Sequence, residues 1–213
     1  MRAALKVVHE LLRRGADPNT RRHGGTVLNH ALRLKQAPLV QRLLREGAYP
    51  HPPPKDSAAR GAVELAAFAR GNGFGDEAIH CMRRALWAAG KADDQRTLRG
   101  LLVHGCPAEK ELLFTLVRQR RSLACIQALL RFRADPNVAD SLGTHVLTIA
   151  ALQGEASVQV VRSLLHAGAD PLRPEGSEGS SILEVARGQE LAPEVTRLME
   201  EYAERAQARS RAA

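Results

Sequence analysis

Apolar residues recur along the chain in one spacing that is repeated five times. In each copy a Val, Ile or Leu is followed by Leu three and four residues later, and a glycine position comes three residues after the second Leu. Because positions i, i+3 and i+4 lie on one face of an α-helix, each copy predicts a helix with a single apolar stripe. The five copies are Val8-Leu11-Leu12-Gly15, Val40-Leu43-Leu44-Gly47, Leu98-Leu101-Leu102-Gly105, Ile126-Leu129-Leu130-Arg133 and Val161-Leu164-Leu165-Gly168.

The residues after each stripe predict where the helix ends. Glycine readily adopts the left-handed backbone that terminates a helix. A proline follows two or three residues later in every copy and prevents the helix from resuming. Arg133 stands where the other copies have glycine, so we expect it to adopt the same backbone conformation at some cost in strain.

A second helix fits between successive stripes, because the stripes end at intervals of 32, 58, 28 and 35 residues. Thr26, Thr144 and Ser181 are suitable N-cap residues for such helices. One striped helix cannot bury its apolar face alone, so the pattern predicts an all-α, helical-repeat solenoid of roughly six stacked helix-turn-helix units. The predicted helices besides the five stripes are Thr26–Lys35, Ala58–Arg70, Asp76–Ala89, Glu109–Gln119, Thr144–Gln153, Ser181–Gln189 and Pro193–Arg205.

Four parts of the sequence resemble ankyrin repeat proteins. Gly15–Asn19, with the sequence G-A-D-P-N, resembles the end of an ankyrin repeat and the turn into the next. Gly25–Ala31 and Gly143–Leu147 resemble the opening G-x-T-P-L-H-x-A, although no unit has an intact T-P-L-H. Ala85–Gly90, continued to Leu101–Gly105, resembles a full repeat. The resemblance covers residues 1–205 and implies a curved stack of helix pairs.

The repeat is irregular in the middle and at both ends of the chain. Residues 51–90 form an irregular or degenerate unit with a predicted helix at Ala58–Arg70, which is either an inserted recognition element or ordinary repeat decay. The chain starts within a second helix, Leu5–Arg14, so we expect either a fragment of a longer protein or an alternative start. We predict a repeat domain over 1–206 and a flexible tail over 207–213.

Composition indicates a globular chain without membrane spans. Hydrophobic residues make up 44% and aromatic residues 3%, so the core must be aliphatic. No apolar run reaches the ~20 residues of a membrane helix, and no signal-peptide core is present. Cys81, Cys106 and Cys125 lack disulfide or zinc spacing and are expected to be buried free thiols. These features predict an intracellular, reducing compartment, cytoplasmic or nuclear, and leave secretion without a cleavable signal open.

Motifs of catalysis are missing from the sequence. There is no phosphate-binding loop, no metalloprotease motif and no nucleophile elbow. His80 and Cys81 are adjacent on a predicted helix and diverge by about 100°, which does not suit a shared metal. We therefore predict that the chain is not an enzyme, binds no metal and uses no cofactor.

Charge is unevenly distributed along the chain, which carries a net charge of +8. Residues 1–50 have a net charge of +7, and residues 175–213 have a net charge of −3. Arginine groups at 13–22 and at 118–133 could attract an acidic protein patch or nucleic acid, or could simply be a solvated face. The scarcity of aromatic side chains favours a protein partner over nucleic acid.

The resemblance implies a protein-protein interaction module that binds its partner in the concave groove of turns and inner helices. The alternatives are binding of nucleic acid or an acidic partner through the arginine-rich patches, and a targeting role as part of a larger protein. We expect a monomer that binds no membrane. The candidate contact residues, placed by analogy with the family's groove, are Asn19, Arg21, Arg22, His23, Asn29, Arg33, Tyr49, His51, Asn137, Asp140, Ser141 and His145.

Overall fold

A computed structural model of the chain describes residues 2–22, 25–48, 63–69, 76–175, 179–189 and 191–212. The chain divides into two compact units, one comprising the residues up to Ala89 together with Arg96–Pro107, the other Gly90–Gln95 and Ala108–Ala213. Helices dominate the described residues, as predicted. They are α1 (Arg2–Arg13), α2 (Val27–Arg33), α3 (Ala37–Arg45), α4 (residues 63–69), α5 (Asp76–Lys91), α6 (Gln95–Val103), α7 (Lys110–Arg118), α8 (Leu123–Arg131), α9 (Val146–Ala151), α10 (Val158–His166), α11 (Ile182–Gly188) and α12 (Pro193–Ala212).

The second unit is a regular stack of three helix pairs, α7–α8, α9–α10 and α11–α12. Within each pair the two helices pack against each other. Between pairs, α7 contacts α9 and α9 contacts α11, whereas α8 contacts α10 and α10 contacts α12. First helices therefore pack on first helices and second helices on second helices. This arrangement confirms the predicted all-α fold of stacked helix-turn-helix units.

The five striped helices end in the same way. In each copy the N–H of the glycine position donates to the carbonyl of the second Leu at 3.0–3.1 Å. The N–H of the following residue donates to the carbonyl of the first Leu at 2.8–3.0 Å. This pair of bonds is a Schellman-type C-cap, which requires a left-handed residue. The φ angles are 86° at Gly15, 77° at Gly47, 92° at Gly105, 65° at Arg133 and 100° at Gly168. The predicted helix ends are confirmed, including the one at Arg133.

Replacing Arg133 with glycine is expected to raise the free energy of unfolding by about 1 kcal/mol, because a side chain in left-handed backbone costs roughly that much. Urea unfolding followed by circular dichroism measures the change. In the converse variant, Gly168→Ala, the free energy of unfolding should fall by a similar amount. A Cβ at Gly168 would meet no atom within 4 Å, so backbone strain would be the only cost. If Arg133→Gly proves neutral and Gly168→Ala does not, the strain at Arg133 is compensated elsewhere.

Two of the three predicted N-caps are confirmed and one is wrong. The Thr26 hydroxyl accepts the N–H of Asn29, and Ser181 forms a reciprocal capping box with Glu184. Thr144 does not cap α9, whose N-cap is His145. The reason is that the Thr144 backbone closes a turn with Asp140, donating to its carboxylate and accepting its N–H. The helix consequently begins two residues later than Thr144.

The core is aliphatic, as the low aromatic content predicted. In the first unit a buried cluster includes Leu28, Val40, Leu43 and Leu65, with Leu12 of α1 packed against it. Helix α4 also lies close to α6, since a Cβ at Gly100 would stand 2.8 Å from Cγ2 of Val63. Only glycine allows this approach without displacement of the valine.

The structure revises the interpretation of the irregular segments. Of the 51–90 unit, residues 51–62 and 70–75 lie outside the described residues, and the rest is helical, in α4 and α5. Within the segment predicted as a flexible tail, residues 207–212 are helical and continue α12, which ends at Ala212. Its Ala, Gln and Arg residues are good helix formers, so the helix does not end where its apolar pattern fades. The predicted 1–206 domain is divided by its contacts into the two units.

Candidate partner-binding surface

The turns that follow three of the five striped helices, α1, α8 and α10, have the same hydrogen-bonded geometry. The carboxylates of Asp17, Asp135 and Asp170 each accept, at 2.9 Å, the backbone N–H two residues further on. Such Asx turns reverse the chain directly after the helix end. In the first unit the chain then forms a short antiparallel hairpin of Arg21–Arg22 (β1) with Gly25–Thr26 (β2). In the second unit single bridges join Ala139 to His145 and Pro174 to Ser181.

Two of the candidate contact residues tie neighbouring turns together. The side-chain amide of Asn19 donates to the carbonyl of Gly47 at 3.2 Å, and that of Asn137 donates to the carbonyl of Gly168 at 3.0 Å. The amide oxygen of Asn137 also accepts the N–H of Asp170 at 2.8 Å. Both asparagines thus link one helix end to the next in the stack. This structural role was not anticipated from the sequence.

His145 is another candidate that the fold itself uses. Its side chain is buried, with Nδ1 3.3 Å from the carbonyl oxygen of Asn137 and Nε2 3.2 Å from that of Pro174. Its backbone N–H donates to one carboxylate oxygen of Glu175, and Thr148 donates to the other. The imidazole therefore lies between two successive turns. Direct contact with a partner would require these turns to separate.

The turn around Asp140 and Ser141 does present side chains to solvent. The Asp140 carboxylate accepts the backbone N–H groups of Leu142 and Thr144, both at 2.9 Å. Gly143 adopts a φ of 81°, which completes the tight turn. These hydrogen bonds hold Leu142 with 79% of its surface exposed, the largest value among the large hydrophobic residues of the described chain. Leu142 was not among the candidates, although a Leu between Asp140 and Gly143 in a polar turn was a usable signal.

The first-unit candidates are distributed differently. Asn29 is buried, and its side-chain oxygen has no hydrogen-bond partner among the described residues. Arg33 is exposed at the end of α2, with a guanidinium nitrogen 3.1 Å from Nδ1 of His30. Arg21 and Arg22 lie on β1. The remaining three candidates, His23, Tyr49 and His51, lie outside the described residues.

The carboxylate of Asp93, whose pKa is lowered, has a structural role at a helix start. Asp93 follows α5 in left-handed backbone, and its carboxylate accepts the N–H of Ser122 at 3.0 and 3.2 Å. Desolvation raises the pKa of Asp93, but the Ser122 and Cys125 hydrogen bonds and the charge of Arg121 outweigh it and hold the pKa below its ordinary value. The Asp93 carboxylate thus accepts a backbone N–H at the start of α8, where the Ser122 side chain forms no capping hydrogen bond.

The cysteines do not form a reactive site. All three are free and buried, which confirms the expectation of buried thiols. Burial raises the pKa of the Cys81 and Cys125 thiols, the opposite of what activates a nucleophilic cysteine. The described residues also contain no group of three or more His, Cys, Asp or Glu side chains that could hold a metal ion. None of the described helices combines the length and apolarity needed to cross a membrane.

Three solved structures of ankyrin repeat domains are similar to this chain. The human ASB11 ankyrin repeat domain is 17% identical with a TM-score of 0.45, covering 93% of this chain and 94% of its own. That of Bcl-3, described as a unique member of the IkappaB protein family, is 21% identical with a TM-score of 0.49, covering 93% and 92%. The ankyrin repeat protein EF0377 is 16% identical with a TM-score of 0.48, covering 86% and 100%. No protein-family model and no curated protein matches the chain. The assignment of the fold accordingly rests on the stacked helix pairs, C-caps and turns of the chain itself.

Proposed function

We propose that the chain is a non-enzymatic module that binds another protein through its turns and the first helices of its stacked pairs, as its sequence resemblance to ankyrin repeats implies. The observation that carries this proposal is Leu142, an apolar side chain held almost fully exposed at the tip of a rigid turn. Burial of this side chain on association would contribute about 1.5–3 kcal/mol of hydrophobic free energy, so it can serve as an anchor for a partner. Ser141 and Asp140 beside it supply polar contacts around this anchor.

The rigidity of the turn supports recognition at this place. Asp140 bonds two backbone N–H groups of its own turn, and the turn is bridged to the start of α9 through Ala139 and His145. A partner that binds there does not have to order the loop, so little conformational entropy is lost on association. Preorganised turns on a rigid helical stack are consequently suited to recognition.

The alternative of nucleic-acid binding is weaker in the described structure. Several exposed arginines are already paired with glutamates, such as Arg187 with Glu200 and Arg205 with Glu201. Paired guanidinium groups contribute less to binding of phosphates, which is dominated by net charge. Arg118, Arg120, Arg131 and Arg133 are exposed in the second unit. Because these arginines could bind phosphates, the experiment described next includes nucleic-acid binding as one of its outcomes.

A photocrosslinking amino acid at Ser141 tests the proposal in extracts of the source cells, with Gln127, exposed on α8, as the control position. We expect a protein that crosslinks at 141 and not at 127. With that protein purified, Leu142→Glu should weaken binding about 30-fold or more, as expected of an apolar anchor. Arg131→Glu should change it less than twofold.

Equal affinity of the wild type and Leu142→Glu would refute the role of this turn. Crosslinking at 127 alone would place the binding surface on the second helices. Binding of single-stranded DNA that falls steeply with salt and is lost in Arg131→Glu would favour the alternative.

A further inference from the structure

A groove lies between α1 and α3 in the first unit, on a different part of the chain from the Asp140–Gly143 turn. It has a volume of about 500 Å³ and is lined by Lys6 and His9 of α1 and by Pro38, Leu39, Arg42 and Arg45 of α3. Leu39 packs against the buried cluster of the first unit, so the apolar floor of the groove is fixed by the core. Its volume lies in the range of pockets that accept an apolar group.

The rim of the groove is basic. Lys6, His9 and Arg45 are exposed, and no acidic side chain of the described residues lines the groove. The acidic residues of these helices are already engaged. Glu10 pairs with Arg13 and Arg14 at 2.8 Å, and Glu46 pairs with Arg42 at 2.5 Å. Both carboxylates are thus paired with arginines, in a segment whose net charge is +7 over residues 1–50.

Arg42 lies on the wall of the groove. Its Nη2 holds Glu46, but its Nε is buried and meets no acceptor among the described residues. The Arg42 side chain as a whole keeps 39% of its surface exposed, so its guanidinium group remains accessible to a ligand. Carboxylates are the acceptors that guanidinium groups bind best in proteins.

We propose that this α1–α3 groove binds an acidic amphipathic segment of a partner protein. An apolar side chain of that segment packs on Leu39, and its carboxylates face Lys6, Arg42 and Arg45. Nucleic acid fits less well, since it offers phosphates without an aliphatic side chain for the floor. The inference rests on the proposed function only in that the chain binds proteins; the groove lies in the first unit, whereas Leu142 lies in the second.

Fluorescence anisotropy with the full chain tests the ligand chemistry. The probe is a labelled 16-residue peptide with Leu at helical spacing and Glu elsewhere. The comparison probes are the same peptide with Ser for Leu, the same peptide with Lys for Glu, and a 20-nucleotide single-stranded DNA. We expect the Glu/Leu peptide to bind at least tenfold more tightly than each of the others. A Ser peptide that binds equally well, DNA that binds better, or no binding of the Glu/Leu peptide at millimolar concentration would overturn the proposal.

Matched charge reversals test the location. Arg45 and Arg131 each follow the Leu pair of a striped helix, in α3 and α8 respectively. Arg45→Glu should weaken binding of the Glu/Leu peptide at least tenfold, and Arg131→Glu less than twofold; equal effects would overturn the proposal. Lys6→Glu provides a second variant if Arg45→Glu unfolds, as judged by circular dichroism.

Two measurements establish where the peptide binds on the chain. Leu142→Glu should leave peptide binding unchanged, so that failure of the groove and failure of the turn surface are told apart. A peptide with a photoreactive group at a Leu position should crosslink to the 37–45 segment, and crosslinking confined to the second unit would overturn the proposal. Self-association of the chain that is lost in Arg45→Glu would identify a second copy as the occupant and would overturn it as well.

Discussion

Replacing Leu129 with alanine is expected to lower the free energy of unfolding by about 3–5 kcal/mol, the range of the costlier Leu deletions in protein cores. Leu129 is fully buried on α8, which packs against α7 and α10. Its carbonyl also accepts the N–H of Ala134 in the C-cap at Arg133. Because helices on both sides hold α8 in place, the stack is not free to collapse into the cavity that the missing side chain leaves.

The neighbouring residue supplies the control. Leu130 belongs to the same helix and the same C-cap, but it is only half-buried. Leu130→Ala should therefore cost about 1 kcal/mol, roughly in proportion to the apolar area it hides. Urea unfolding followed by circular dichroism measures both variants. Equal losses would mean that burial does not set the stability of this helix.

Asn137→Ala is expected to lower the free energy of unfolding by about 2–3 kcal/mol, because it removes two hydrogen bonds that link successive repeats. The amide of Asn137 bridges the carbonyl of Gly168 and the N–H of Asp170. Without it both backbone groups lose their partner at the junction of two turns. The Asx turn itself should persist, since it uses the backbone N–H of Asn137 and the carboxylate of Asp135.

The variant Asn137→Asp distinguishes the contributions of the two side-chain hydrogen bonds to stability. The aspartate keeps an acceptor for the N–H of Asp170 but loses the donor to Gly168, so we expect an intermediate loss of about 1–2 kcal/mol. Native-state hydrogen exchange at Asp170 is the second measurement. Exchange there should accelerate in Asn137→Ala. An unchanged rate would show that the bridge does not hold the two turns together.

The helix ends were predictable from the sequence because they depend on residues close together in the chain. The stripe, the glycine position and the proline lie within about three helical turns, and their physics is local. Arg133 illustrates how strong this local pattern is. Its side chain disfavours left-handed backbone, yet the carbonyls of Leu129 and Leu130 are capped as in the glycine-containing copies.

The ties between repeats were not predictable, because each joins residues far apart in sequence. Asn137 and Gly168 are 31 residues apart, and Asp93 and Ser122 are 29. From sequence alone, an asparagine in a turn is interpreted as an exposed contact residue. Only the folded structure shows that the next turn lies beside it and accepts its hydrogen bond. For the same reason His145 was assigned to the surface, whereas its imidazole is buried between the carbonyls of Asn137 and Pro174.

Each of the two units contains at least one buried thiol, which can serve as a probe of local opening in that unit. Cys81 lies in the first unit and Cys125 in the second, and burial keeps both thiols protonated and shielded from solvent. A thiol reagent can modify them only when the surrounding helices separate, so the labelling rate of each cysteine counts openings of its own unit. The rates at Cys81 and Cys106 in the first unit and at Cys125 in the second, measured on one unmodified chain, distinguish repeats that open independently from repeats that open together.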